Sequence, residues 1–250
     1  MHFADYAARY TGIHFARDGA GVLTMTLHTR GSEALWGTST RSLHTELGQA
    51  FADVARDSAN RVVILTGTGS SFIAAMDPQE RAHEPSLAAM WPRIHAEGVA
   101  LLENLMAIPV PVIGAVNGPA LIHAEIAVLS DIVLAADHAE FADLAHIPSG
   151  AVPGDGVHTV WPMLLGPNRG RYFLLTGQRI SAAEALHLGI VGEVLPAADL
   201  MPRAQDHAAR LAKLPDAVLR HTRSVLTRHI QRRISDDLSW GLGLEAMAML

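Results

Sequence analysis

Three short runs of unbroken apolar character set the strongest limit on how this chain can fold. They are RVVILTGTG (Arg61 to Gly69), VPVIGAV (Val110 to Val116) and DIVLAAD (Asp131 to Asp137). Each is bounded by glycine, proline, asparagine or aspartate and is too short to be a buried helix, so each reads as a strand covered on both faces. Strands of that kind belong to parallel sheets, and parallel neighbours need crossover helices. The intervening sequence supplies them. TSTRSLHTELGQAFADVARD places Leu43, Leu47, Phe51 and Val54 at helical spacing, and VALLENLMA carries a second helix up to Met106. GVLTMTLHT (Gly21 to Thr29), after the turn signal Arg17-Asp18-Gly19, reads as a strand leaving a hairpin. The alternation predicts an α/β fold.

After Gly166 the character changes. NRGRYFLLTGQRISAAEALHLGIVGEVL reads as a helix, a turn, a second helix opened by Ser181 and a short strand, and the pattern is helical from about Met201 to the end. The expected organisation is a core over residues 1–200 and a helical lobe over residues 201–250. With 250 residues, 49% of them hydrophobic, the chain can bury a substantial core. A net charge of -6 argues against nucleic acid and anionic membranes as partners. The absence of cysteine removes disulfides and thiolate nucleophiles. MHFADYAARYTGIHF lacks the basic start and apolar run of a signal peptide, and no apolar stretch reaches the roughly 20 residues of a membrane span, so a cytoplasmic location is expected.

The stretch LAHIPSGAVPGDGVHTVWP sets His146 and Asp155 nine positions apart in a segment rich in glycine and proline that reads as non-helical. Locally, two readings stand side by side: ordinary loop polars, or a histidine and a carboxylate aimed together across a cleft. Elsewhere the signals are plainer. LTGTGSS lacks the Lys-Ser/Thr of a phosphate loop, and no HExxH or Cys/His spacing accompanies His83, His95, His138 or His158, which read as surface or supporting residues. No metal site is expected. The basic stripe from Thr222 to Arg233 reads as a subunit interface or solvated face.

Three segments in order, VVILTGTGSSFIAAMD, PVIGAVNGPALIHAEIAVLSDIVLAA and FADLAHIPSGAVPGDGVHTVWPMLLGPNRGRYFLLTG, resemble the crotonase superfamily, the enoyl-CoA hydratases and isomerases. The resemblance covers nearly the whole chain. It implies a crotonase-like spiral of ββα units with a C-terminal helical trimerisation lobe, and a homotrimer or dimer of trimers. The departures are informative. Crotonases use a glycine amide after the Asn-Gly motif to bind a thioester oxygen, whereas this chain has His123, and His146 falls where hydratases carry a catalytic glutamate. NGPxxxHxEI, HxPSGxVPGDGxHxVWP and a near-terminal glutamate are most similar to the β-diketone hydrolase branch typified by 6-oxocamphor hydrolase.

That resemblance implies cofactor-independent, retro-Claisen cleavage of a carbon-carbon bond in a cyclic or bicyclic, non-esterified β-diketone, with His123, His146, Asp155 and Glu245 as the catalytic set. Water needs a base of near-neutral pKa, so His146 is expected as base and Asp155 as its orienting carboxylate. His123 is expected to stabilise the enolate, with Glu245 orienting that ring. Trp36 reads either as an N-H donor to a ketone or as an apolar wall. Phe72, Leu121, Leu144 and Ile147 are expected as further walls, and Glu125 as structural. Two other readings remain: a hydratase, isomerase or hydrolase of acyl-CoA thioesters, and a catalytically silent crotonase-fold subunit serving assembly or RNA binding.

Overall fold

The computed structural model describes residues 1–80 and 86–249. In chain order the elements are α1 (Phe3–Tyr6), β1 (Ile13–Arg17), β2 (Val22–Leu27), β3 (Leu35–Trp36), α2 (Leu43–Arg56), β4 (Val62–Gly67), β5 (Ala75–Met76), α3 (Leu87–Ala107), β6 (Val112–Val116) and α4 (Glu125–Val128). They continue with β7 (Ile132–Ala136), β8 (Glu140–Phe141), a 3-10 turn (Ile147–Ser149), α5 (Val157–Leu165), α6 (Pro167–Thr176), β9 (Ile180–Ser181), α7 (Ala182–His187), β10 (Glu193–Leu195), α8 (Ala197–Leu211) and α9 (Asp216–Met249).

The apolar runs of the sequence form the middle of a six-stranded sheet of order β1-β2-β4-β6-β7-β10, parallel except for the β1-β2 hairpin. Period-two alternation assigns their faces. Val62, Ile64, Ile113 and Ala115 pack with Leu200, Ala204 and Ala208 of α8, while Val63, Leu65, Val112 and Val116 face the larger core with α2 and α3. Each turn of the chain also contributes a short strand to a second layer: β3 pairs with β5, Ile73 bridges Ala120, Ala120 bridges Phe141, and β8 pairs with β9. A long strand, a short strand and a helix therefore recur, which is the ββα spiral the resemblance implied.

Three details differ from the sequence reading. The helix of the last loop begins at Val157, so His158 to Pro162 is helical and only the stretch before it is loop. Pro162 lies inside that helix, where it lacks the N-H that would reach residue 158. The final helical region begins at Ala197, and α8 covers the outer face of the sheet. Arg223 of the basic stripe is buried, not a surface cation: its Nε lies 2.7 Å from Asp131 Oδ2, and its guanidinium donates to the carbonyls of Leu105, Met106 and Ile108 at the C-terminal end of α3. That capping fixes α9 along α3. No described helix is long and apolar enough to cross a membrane.

Candidate active site

His123 follows β6 in a tight turn and has φ of 51°. This left-handed conformation costs glycine nothing and an L side chain roughly 1–2 kcal/mol. The backbone there has a glycine's shape but carries an imidazole, and the turn places Glu125 at the start of α4 beside it. Glu125 Oε1 lies 2.7 Å from His123 Nδ1.

His146 follows β8. Its carbonyl accepts from the N-H groups of both Ser149 and Ala151, which folds the PSGAVPGDG segment back on itself and returns Asp155 to the ring. Asp155 Oδ2 lies 3.3 Å from His146 Nε2 and 3.0 Å from His123 Nδ1. The two residues of the LAHIPSGAVPGDGVHTVWP stretch therefore meet, and a single carboxylate oxygen joins both histidines. Glu245 arrives on α9, where its neighbour one turn back, Gly241, packs directly on Gly154. Glu245 Oε1 is 4.0 Å from His146 Nε2. The expected pairing of Glu245 with His123 is thus replaced by proximity to His146; His123 takes its carboxylates from Glu125 and Asp155.

The larger correction concerns His146. Asp143 Oδ1 lies 2.7 Å from its Nδ1, while Asp155 holds Nε2, so both ring nitrogens face carboxylates. Burial opposes protonation, but Asp155 and Asp143 together hold His146 well above the ordinary imidazole value. With its protonated form favoured and a carboxylate at each nitrogen, the ring offers no free lone pair to the cavity and is poorly arranged to act as a base. Burial likewise opposes the charge on His123, and Asp155 and Glu125 overcome it and raise that pKa. Asp155, which burial alone would push up, is held below the ordinary carboxylate range by His146 and His123. Glu245 shows the opposite behaviour: burial, with the charge of Asp155 nearby, pushes it up to about 8. Burial also raises Glu125.

His123, His146, Asp155 and Glu245 border a cavity of about 170 Å³. Trp36 lies flat on His123, ring centroids 3.9 Å apart at 30°, and packs nearly perpendicular to the His44 ring at 5.7 Å. Met76, Leu87, Trp91, Ile94, Leu242 and Met249 supply apolar surface. Of the expected walls only Trp36 lines this cavity. Phe72 is wholly buried in the core, Leu121 is buried, Leu144 packs on the core, and Ile147 turns outward, 38% exposed. Their segments read as apolar, but α3 and α9, distant in sequence, form the roof instead.

Several site residues escaped the sequence reading. Asp143 carried a signal, a carboxylate three residues before His146, that looked like any loop polar. His44 and Glu97, whose Nδ1 and Oε2 are 3.2 Å apart, lie on different helices and had no local signal. His123, Glu125 and Asp155 also form the grouping among the described residues with ligand atoms close enough for a metal, within 4.8 Å of one another. Both carboxylates there converge on one ring nitrogen at hydrogen-bond distance, an arrangement the proton on that nitrogen satisfies. Of the other histidines, His95 meets Ser239, His158 meets the Asp237 carbonyl and His138 is exposed, while His83 lies outside the described residues.

The family model for enoyl-CoA hydratase/isomerase matches residues 17–247. Carnitinyl-CoA dehydratase of Escherichia coli (strain K12) is 33% identical over 200 residues, 80% of this chain and 74% of that protein. Among solved structures, a beta-diketone hydrolase from the cyanobacterium Anabaena sp. PCC 7120, bound to (S)-3-oxocyclohexyl acetic acid, superposes with a TM-score of 0.93 at 42% identity over 98% of this chain and 96% of that one. An enoyl-CoA hydratase/isomerase from Mycobacterium paratuberculosis does so with a TM-score of 0.87 at 29% identity, covering 96% of this chain and 94% of that one. The chain belongs to the crotonase superfamily, the enoyl-CoA hydratase/isomerase family.

Proposed function

We propose that this crotonase-family protein is a hydrolase that cleaves a carbon-carbon bond of a small cyclic or bicyclic β-diketone by a retro-Claisen reaction. The observation that carries the reading is His123: a side-chain imidazole, stacked on Trp36, stands where a thioester-binding crotonase offers a glycine amide. The ligand of the Anabaena enzyme supports it, because its ketone and carboxylic acid are the two groups that hydrolysis of a 1,3-diketone leaves.

Water adds to one carbonyl and gives up a proton. The bond to the central carbon then breaks, its electron pair passes into an enolate, and that carbon gains a proton, leaving a ketone and a carboxylic acid. With Nδ1 committed to carboxylates, protonated His123 has its Nε2-H to donate to the developing enolate oxygen, and the Trp36 ring stacks against it. Glu245, protonated at neutral pH, is the proton donor to carbon. The His146 imidazolium and the Asp155 carboxylate keep the charge around Glu245 balanced, and Asp143 holds His146 in that state.

The chemistry calls for no cofactor or metal, and we propose a cytoplasmic enzyme that acts as a trimer or dimer of trimers. The exposed Val225, Leu226, Trp240 and Met247 of α9 support association. The family model and the dehydratase relative favour a second reading, chemistry on an acyl-CoA thioester. Parallel assays decide between them: loss of ultraviolet absorbance from an enolised cyclic 1,3-diketone against hydration of crotonyl-CoA. Turnover of the diketone alone is expected, and turnover of the thioester alone refutes the proposal.

A further inference from the structure

The cavity holds a third histidine that differs from the other two in every respect that matters for proton transfer. His44, on α2, is 5% exposed and borders the cavity beside Trp36, Ile94 and Leu242. Its Nδ1 faces Glu97 Oε2 of α3 at 3.2 Å. That same oxygen accepts from Arg93 Nη1 at 2.7 Å and from Thr45 Oγ1 at 2.9 Å, and Arg93 also donates to the Thr38 carbonyl at 2.7 Å. Glu97 is consequently a fixed, ionised acceptor, and the proton of the His44 ring resides on Nδ1. The other nitrogen, Nε2, has no hydrogen-bond partner among the described residues. A neutral imidazole oriented through Nδ1 by a carboxylate and offering Nε2 to a cavity is the arrangement of a general base. His146, with a carboxylate on each nitrogen, lacks that free lone pair.

Resting on the hydrolytic reading above, we infer that His44 is the base that takes the proton from the attacking water, with Glu97 as its positioning residue. The step balances: the water O-H breaks, its proton moves to His44 Nε2, and the oxygen bonds to the carbonyl carbon. His44 later loses that proton to solvent, and Glu245 regains from solvent the proton it gave to carbon, so the site returns to its starting state. The site thereby divides its work between a neutral acceptor, His44, and the proton donors His123 and Glu245, all of which line the same cavity. The electrostatics agree. Burial lowers the His44 pKa, opposed by the bond to Glu97, and the charge of His123 lowers it further while Asp155 acts against that. The charged groups around His44 are Glu97 and Arg93 from α3, His123 from the turn before α4, and, along the same cavity, His146 and Asp155 from the loop and Glu245 from α9. Environments that push titratable groups apart in this way separate acid from base.

The test uses the purified protein and a cyclic 1,3-diketone. For the wild type, kcat/KM against pH should be bell-shaped, with an acid limb below the ordinary imidazole value of 6.5 and an alkaline limb near 8 from Glu245. His44→Gln should lower kcat by about 100-fold or more with KM and the thermal melt little changed. Glu97→Gln keeps the packing but removes the carboxylate that raises the His44 pKa, so its acid limb should move to lower pH. In a 15N-histidine spectrum at pH 7, His44 should be neutral with its proton on Nδ1. Wild-type kcat in folded His44→Gln, an unmoved limb in Glu97→Gln, or a His44 imidazolium at pH 7 each overturns the assignment. A wild type that leaves the diketone intact refutes the hydrolytic reading instead, while the spectrum still reports on the His44-Glu97 pair.

Discussion

The contact between α9 and the Asp155 loop is made by glycines, and enlarging one of them should disturb the chemistry more than the fold. A Cβ on Gly241 would meet the Gly154 carbonyl and the His158 ring, each about 1 Å inside the 3.4 Å at which ordinary contact begins. His158 can rotate away; the Gly154 carbonyl is backbone and cannot. Helix and loop must therefore part by roughly 1 Å, and Glu245, one turn along the same face, moves relative to Asp155. Overpacking of this kind costs about 1–3 kcal/mol. For a chain of this size that lowers Tm by about 2–12 °C. A 1 Å misplacement of a reacting group costs about 100-fold in rate. Gly243 is the control: a Cβ there meets nothing within 4 Å, and in a helix interior alanine is favoured over glycine by up to about 1 kcal/mol. Gly241→Ala should lose about 100-fold in kcat on a cyclic 1,3-diketone while remaining folded, and Gly243→Ala should keep full activity with an equal or higher Tm. Equal kcat in the two variants refutes the claim that this contact sets Glu245 against Asp155.

Other consequences follow from the same geometry. Glu245 is held protonated up to about 8 in the folded chain, whereas the unfolded chain ionises it near the ordinary 4.5, so between those values the folded state binds the extra proton and stability falls as pH rises. Glu245→Gln should accordingly raise Tm more at pH 9 than at pH 5, and a difference independent of pH counts against a buried protonated acid. Dialysis against EDTA should leave diketone turnover unchanged; activity that disappears and returns with a stoichiometric metal would assign His123, Glu125 and Asp155 to that metal. Light scattering at micromolar concentration should report a trimer or hexamer, and a monomer would leave the exposed apolar face of α9 without the partner proposed for it.

The parts of this molecule that were legible in its sequence are those with a local physical signature. Val62 to Gly67 and Ile132 to Ala136 announce themselves as covered strands because both faces are apolar. His146 and Asp155 could be paired in advance only through the resemblance to β-diketone hydrolases, since the glycine- and proline-rich stretch between them fits ordinary loop polars equally well. The roof of the cavity could not, since Trp91, Ile94 and Leu242 look like any helical core residues until α3 and α9 are set side by side. The protonation state of His146 was equally hidden. It depends on a carboxylate at each ring nitrogen, Asp155 first and Asp143 with it, and Asp143, three residues away, is indistinguishable in sequence from a loop polar. His44 and Glu97 escaped for the reason the roof did: 53 positions separate two residues whose meaning exists only in their contact.

The central claim is that water cleaves a carbon-carbon bond in this site, and isotope labelling tests it most directly. The purified protein, free of added cofactor, is incubated with a cyclic 1,3-diketone in 18O-labelled water and the product analysed by mass spectrometry. The account predicts a ring-opened keto acid, or for a bicyclic substrate a monocyclic one, with one 18O atom from solvent in the new carboxylate. Unchanged diketone under conditions where the same preparation hydrates crotonyl-CoA would contradict it.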